Sequence, residues 1–369
     1  MYFIITGQRD ELIQAALSYL HPTGLTAHPN SIYTFETDYP ERLATAGFAI
    51  KRLTGDTARL KEQSQNYTLL GTAKKEIQML KSQFPHFKRF KTVELVSTDK
   101  EVKEEIEVIN IDGKQWIVKY QNIPLYETID FAKPVKGMGI GMMPSKLAHT
   151  LINIGIGEYE TISPNHQISH PLTIRDPFCG FGTTNFLANY LYHTIGSDLN
   201  ITSVKQNRKR RASRSSDTED FSDTEKRATF IKQDVTSPLS SPLFHHADII
   251  ISEGWLGHVV TNRTAPAEIK RYAQEVLDMV IDFAKNLTDI YKKNLSSSSK
   301  GGSKAVSLVM TIPVWLKYDI SISHQVVQYI TTLRSIKLLK DPYSRPGQLV
   351  GRQILIGSII LNKGKIDNF

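Results

Sequence analysis

The chain has 369 residues, which calls for two or three domains, and a hydrophobic content of 40% is ample for packed cores. A formal net charge of +8 favours a polyanionic partner, with nucleic acid the commonest. The single Cys179 excludes an internal disulfide and fits a reducing compartment; no Cys/His cluster has zinc spacing, so no metal site is expected.

The N-terminus, Met1 to Thr6, is a short strand-like run without the charged region and long apolar core of a signal peptide. No apolar stretch reaches the ~18 residues of a membrane span. The expectation is a soluble, cytoplasmic protein with no membrane partner. Residues 1–65 read as a small α/β unit: a strand over Tyr2–Thr6, a helix opened by Asp10 that carries Leu12, Ile13, Ala16, Leu17 and Leu20, and strands over Ser31–Glu36 and Gly47–Lys51. Residues 66–125 form a second unit. Tyr67–Leu70 is strand-like, Lys74–Phe84 is an amphipathic helix, and Val93–Ser97, Ile106–Ile111 and Gln115–Tyr120 alternate like antiparallel strands, with an Asp112-Gly113 turn between the last two. The stretch Phe84–Lys91 mixes aromatics with bases; such a mix stacks on nucleobases and pairs with phosphates, or forms a buried aromatic edge with solvated charges.

A Gly-rich stretch over 133–144 leads to a helix opened by Ser145 as its cap, and the third unit, 126–369, begins here. Beyond it strands and helices alternate, the pattern of a parallel, doubly wound sheet. An apolar run ends in Asp176; Pro177, Gly180 and Gly182 shape a tight loop, and a helical pattern starts at once. Glycines between strand and helix bring backbone N–H groups close to a ligand at the carboxyl edge of the sheet. The spacing G-x-G-x-x-G is not met, because Asn185 stands at the third glycine position. An acid ahead of the glycines suits the aminoacyl end of S-adenosylmethionine better than a pyrophosphate. The next strands are Thr194–Asp198, Phe230–Asp234 and Asp248–Glu253. A long helix follows over Ala267–Leu295, then a strand over Ala305–Ile312 and a closing antiparallel pair, Ser335–Lys340 with Gln353–Leu361. Two segments interrupt this order. Residues 205–227 run from bases (Lys205, Arg208, Lys209, Arg210, Arg211) to acids among serines (Asp217, Glu219, Asp220), and read as a mobile insertion, either inert or a basic arm for RNA. Residues 296–304 are a Ser/Gly-rich loop.

Four strands in order end in Asp176, Asp198, Asp234 and Glu253, and carboxylates at successive strand ends line one crevice. Asp198 follows Asp176 by 22 residues. That is close to the ~20-residue offset at which an acid meets ribose hydroxyls. Asp234 is then placed for an adenine amine.

With these residues the chain resembles the S-adenosylmethionine-dependent methyltransferases, most closely the branch that methylates N2 of guanosine at position 10 of tRNA. Met142-Met143-Pro144-Ser145-Lys146-Leu147-Ala148 resembles that branch's M-L-P-P-K-L-A segment, Asp176-Pro177-Phe178-Cys179-Gly180-Phe181-Gly182-Thr183 resembles D-P-F-C-G-S-G-T, and Gly196-Ser197-Asp198-Leu199-Asn200 resembles G-x-D-x-N. The resemblance implies a Rossmann-like seven-stranded methyltransferase sheet preceded by a small α+β RNA-binding region, with a THUMP-like unit at 66–125. It also implies an S-adenosylmethionine site lined by Asp176, Phe178, Gly180, Gly182, Thr183, Asp198, Leu199, Asp234 and Ser252, and a tRNA or other structured RNA as partner. The fourth motif departs from the family: where T-D-P-P-Y-G is usual, this chain has Ser252-Glu253-Gly254-Trp255-Leu256-Gly257. Glu253 would take the role of amine acceptor and Trp255 that of a stacking platform, as the catalytic pair. The rival expectations are a catalytically inactive RNA-binding or partner-activating protein of the same fold, and a methyltransferase with a protein substrate.

Overall fold

The computed structural model describes residues 1–5, 9–28, 31–48, 50–56, 67–70, 106–111, 114–122, 143–163, 172–189, 191–207, 228–238, 247–297, 304–330 and 334–361. The expected helix over 74–84, the aromatic-basic stretch 84–91, the strand over 93–97, the Gly-rich run 133–142 and residues 208–227 lie outside them. The chain divides into two units, Met1–Ile13 with Leu20–Pro124, and Gln14–Tyr19 with Leu125–Phe369.

The first unit is built on one sheet of β1 (Tyr2–Ile5), β2 (Thr23–His28), β3 (Ile32–Glu36), β4 (Ile50–Asp56), β5 (Tyr67–Leu70), β6 (Ile106–Ile111) and β7 (Lys114–Asn122), in the order β2-β3-β1-β4-β7-β6-β5. Strands from both sides of residue 65 share this sheet, where the sequence analysis draws a boundary between two units. β6 and β7 pair antiparallel, and β5 joins β6 in parallel. β2 escapes sequence reading because it is an edge strand, exposed along nearly its whole length, so it lacks an apolar alternation. Helix α1 (Asp10–Leu17) buries Leu12, Ile13, Ala16 and Leu17 at helical spacing.

The second unit contains α2 (Ser145–Ile162), β8 (Thr173–Asp176), α3 (Thr183–Ala188), β9 (His193–Asp198), β10 (Ala228–Lys232), β11 (Ile249–Ser252), α4 (Pro266–Ser297), β12 (Lys304–Trp315), β13 (Ile320–Ser321), α5 (Ser323–Tyr329), β14 (Arg334–Leu338) and β15 (Val350–Leu361). Its sheet runs β10-β9-β8-β11-β12-β15-β14, with β13 paired to β12 at one side. β10, β9, β8, β11 and β12 are mutually parallel, while β15 enters antiparallel between β12 and β14. Leaving the two-residue β13 aside, the order by appearance is third, second, first, fourth, fifth, seventh, sixth. This is the Rossmann-like seven-stranded sheet expected from the sequence. The order reverses between β8 and β11, so the crevice falls outside their carboxyl ends.

Both faces of this sheet are covered, which explains its continuous apolar runs. On one face α4 packs Ile269, Val276, Val280, Phe283 and Leu287 with Ile250, Val306, Leu308 and Met310. On the other, α2 approaches closely: a Cβ on Gly155 would lie 2.8 Å from Ile249 Cγ2, and Ser307 Oγ donates to Gly155 O at 2.7 Å. Ser145 is the first residue of α2 rather than its cap; Pro144 holds the cap position and makes no side-chain hydrogen bond there. Among the described residues, no helix is long and apolar enough to cross a membrane.

Candidate active site at the carboxyl edge of the parallel strands

Asp176 is the last residue of β8 and is 2% exposed. Its Oδ1 accepts the Phe178 N–H at 3.1 Å, which folds the chain sharply at Pro177. The Cys179 N–H donates to Ser197 O, and the Gly182 N–H to Cys179 O, so the loop is tied both to β9 and to itself. The two loop glycines do different work. Gly182 has φ +80, and a Cβ there would lie 2.6 Å from Val204 Cγ2 and 2.8 Å from Phe186 Cε2, so it serves close packing at the start of α3. Gly180 has φ +48 with nothing within 4 Å of a built Cβ, so its backbone borders open space. Asn185, at the third glycine position of the dinucleotide pattern, is fully buried. Its Oδ1 lies 2.8 Å from where a Cβ on Gly196 would sit, so the glycine of β9 makes room for this amide.

Asp198 ends β9 and closes the corner. Its Oδ2 accepts the Gly180 N–H at 2.9 Å and its Oδ1 the Asn200 N–H at 3.0 Å. A carboxylate has about four acceptor positions, so two remain, among the described residues, for hydroxyls of a ligand. Leu199, the next residue, is 64% exposed. Asp234 lies two residues beyond β10; its Oδ1 accepts from the Thr236 N–H at 2.9 Å and from Thr236 Oγ1 at 2.7 Å, while Oδ2 takes no hydrogen bond from the described residues. Ser252 is buried at the end of β11, and its Oγ accepts the Gly254 N–H at 3.0 Å. Thr183 is buried in the first turn of α3. Phe178 is half-buried and turns edge-on to Phe283 of α4, with ring centroids 5.5 Å apart, which places its ring against the core.

Burial raises the Asp176 carboxyl to about 7; hydrogen bonds from Phe178, Thr184 and Ser252 oppose the rise, and the neighbouring Asp198 adds to it. Burial also pushes the Cys179 thiol well up, with Asp176 and Asp198 adding to the effect, so this cysteine stays protonated and is no nucleophile. Arg175, one residue before Asp176, is a buried cation whose Nη2 donates to Ser197 Oγ at 3.4 Å.

The fourth acid has a partner that the sequence analysis misses. Glu253 follows β11 and is 8% exposed. Its Oε1 accepts from Arg352 Nε at 2.5 Å, and the Arg352 side chain, on β15, is 3% exposed. Thr311 of β12, the strand between them, donates from Oγ1 to the Glu253 carbonyl at 2.5 Å. An arginine near the start of a largely apolar closing strand is the sequence signal of this pair. Trp255 points less inward: it is 38% exposed and meets His258 edge-on, with centroids 5.4 Å apart. The structure therefore gathers Asp176, Gly180, Asp198 and Ser252 at one corner, with Asp234 at the end of β10 and the Glu253–Arg352 pair beyond β11.

No protein-family model and no curated protein matches this chain. Similar solved structures include a magnesium protoporphyrin IX methyltransferase from Synechocystis PCC 6803 with bound S-adenosylmethionine, at 13% identity over 64% of this chain and 95% of that one, with a TM-score of 0.31. An S-adenosylmethionine-dependent O-methyltransferase from Thermotoga maritima is similar at 10% identity over 69% of this chain and 77% of that one, with a TM-score of 0.30. A candidate RNA methyltransferase from Pyrococcus horikoshii is similar at 9% identity over 62% of this chain and 91% of that one, with a TM-score of 0.32.

Proposed function

We propose that this chain is an S-adenosylmethionine-dependent methyltransferase acting on RNA, with the exocyclic amine of a tRNA guanosine as its target. The Gly180–Asp198 corner supports the reading most: a left-handed glycine beside open space donates its N–H to a carboxylate at the switch point of the sheet. The two remaining acceptor positions of Asp198 suit the ribose hydroxyls, Asp234 Oδ2 suits the adenine amine, and the exposed Leu199 side chain offers the adenine ring an apolar plate. Asp176 and Ser252 stand where the aminoacyl end would lie. When bound, S-adenosylmethionine supplies a methyl group already activated on its sulfonium.

What remains for the protein is positioning. Near-attack alignment of amine and methyl is worth roughly 7–11 kcal/mol. A target base has to leave its stack to reach the crevice, and the exposed face of Trp255 is the platform for it. Glu253, fixed in place by Arg352, orients the amine by accepting one of its hydrogens. The net charge of +8 supports a phosphate-bearing substrate.

The same ion pair favours a second reading. A carboxylate committed to a buried guanidinium is a weaker acceptor for a substrate amine, so the chain would bind cofactor and RNA without transferring the methyl. Nucleoside mass spectrometry of tRNA incubated with the full chain and S-adenosylmethionine decides between them. N2-methylguanosine is the expected product; cofactor binding with unmodified tRNA supports the second reading.

A further inference from the structure

We infer that an exposed ring stack beside the crevice, built from Trp255, His258 and Tyr272 and edged by Arg271, binds a base that flanks the methylated one in single-stranded RNA, with the guanidinium on the adjoining phosphate. The inference rests on the RNA-methyltransferase reading above.

The stack draws on two elements. The loop after β11 carries Trp255 between the left-handed residues Gly254 (φ +72) and Gly257 (φ +85), and His258 directly after the second. Helix α4 supplies the neighbours Arg271 and Tyr272 and, one turn on, Glu275. The His258 ring meets Tyr272 at 4.5 Å between centroids and Trp255 edge-on at 5.4 Å, and Arg271 Cζ lies 5.2 Å above the Tyr272 ring. Glu275 ties the group together: its Oε2 is 2.7 Å from His258 Nε2 and its Oε1 is 3.9 Å from Arg271 Nε. The rings are thus held in place by the protein itself, which lowers the entropy cost of binding.

The core accounts for one edge of this arrangement, since Tyr272 is half-buried and packs against it, but not for the other members. Trp255 is 38% exposed, the side chains of His258 and Arg271 are 48% and 64% exposed, and Val259 beside them is 65% exposed. Only the face of Trp255 is needed for a base whose amine reaches Glu253. The rings of His258 and Tyr272 add aromatic surface beyond it, at centroid spacings of 5.4 Å and 4.5 Å. Aromatic faces stack on any base, and a guanidinium at the rim pairs with phosphate. The Glu275 charge, the one acid within the group, is turned to His258 and Arg271.

The test uses the full chain and two labelled RNA decamers, oligo(A) and its abasic counterpart, with fluorescence anisotropy at one salt concentration. The wild type should prefer oligo(A) by about tenfold or more. His258→Ala and Tyr272→Leu should lose most of that preference, and Tyr272→Phe should keep it. Arg271→Met should weaken both decamers alike, and melting curves of all variants show that each is folded. Equal binding of the two decamers by the wild type, or an undiminished preference in the ring variants, overturns the inference. A preference carried by the rings, in a wild type that transfers no methyl group, upholds this site and sinks the enzymatic reading instead.

Discussion

Glu253 and Arg352 carry the sharpest residue-scale question, because one carboxylate is asked to hold a buried cation and to meet a substrate amine. Removing one member of a buried pair leaves an uncompensated charge, at a cost of about 3–5 kcal/mol. Glu253→Ala should therefore lower thermal stability markedly. Glu253→Gln keeps an acceptor oxygen for Arg352 Nε, so its melting temperature should stay nearer the wild type. Its single-turnover methyl transfer should fall, with kcat lowered more than KM is raised, because the amide lacks the charge and presents its own NH2 to the target. A wild-type rate in Glu253→Gln would assign this residue to stability alone. Asp176 gives a prediction in pH. Its carboxyl moves from 3.8 to about 7 on folding, chiefly through burial. Between these values the unfolded chain ionises the group while the folded chain keeps the proton. The folded state then binds more protons, so stability falls as pH rises through this window and levels off above it. Asp176→Asn should flatten this slope, with melting curves compared at about pH 5 and about pH 8; an unchanged slope would place the pH dependence elsewhere.

At the scale of elements, the loop between β8 and α3 separates packing from ligand space within three residues. Gly182→Ala drives a methyl group into Val204 and Phe186, and overpacking of this kind costs typically about 1–3 kcal/mol. Its main effect should be on melting temperature. Gly180→Ala meets no protein atom within 4 Å, so its cost to the fold is the left-handed backbone alone, roughly 1–2 kcal/mol. Its methyl group enters the space assigned to the ligand, so cofactor affinity should fall more than stability does. Equal affinity for S-adenosylmethionine in Gly180→Ala and wild type, by calorimetry, would move the ligand away from this loop. The loop is legible in sequence because its geometry depends on residue type: acid, proline and glycines at fixed offsets. So are β8, β9, β11 and α4, whose apolar period follows from burial on one side or both. The Glu253–Arg352 pair is not legible. It joins residues 99 positions apart, and β15 reaches Glu253 only because it inserts antiparallel beside β12. The ring stack is hidden for the same reason, since Tyr272 looks like any half-buried helix residue until the loop carrying His258 folds over it.

For the whole molecule, charge and unit division set the expectations. A chain of net charge +8 that binds RNA through phosphates should lose affinity steeply with added salt, the log–log slope steepening by about 0.7 for each phosphate neutralised on a single strand. Anisotropy titrations over a salt series give the slope, and one near zero would remove electrostatic RNA binding from the account. The sequence analysis places RNA binding in the first 125 residues on the strength of a resemblance. Its candidate surface, Phe84–Lys91, lies outside the described residues. Gln14–Tyr19 groups with the second unit, and a truncation at the unit boundary would remove part of that unit as well.

Titration calorimetry of S-adenosylmethionine into the full chain, beside Asp198→Ala, tests the central claim most directly. Asp198 holds the Gly180 and Asn200 N–H groups and offers its remaining acceptor positions to the ribose. Losing hydrogen bonds to a charged group costs roughly 1.5–3 kcal/mol, about a tenfold to hundredfold loss in affinity. The account predicts one bound cofactor per wild-type chain and a weakening of that size in Asp198→Ala; no binding by the wild type, or the same affinity in both, would contradict it.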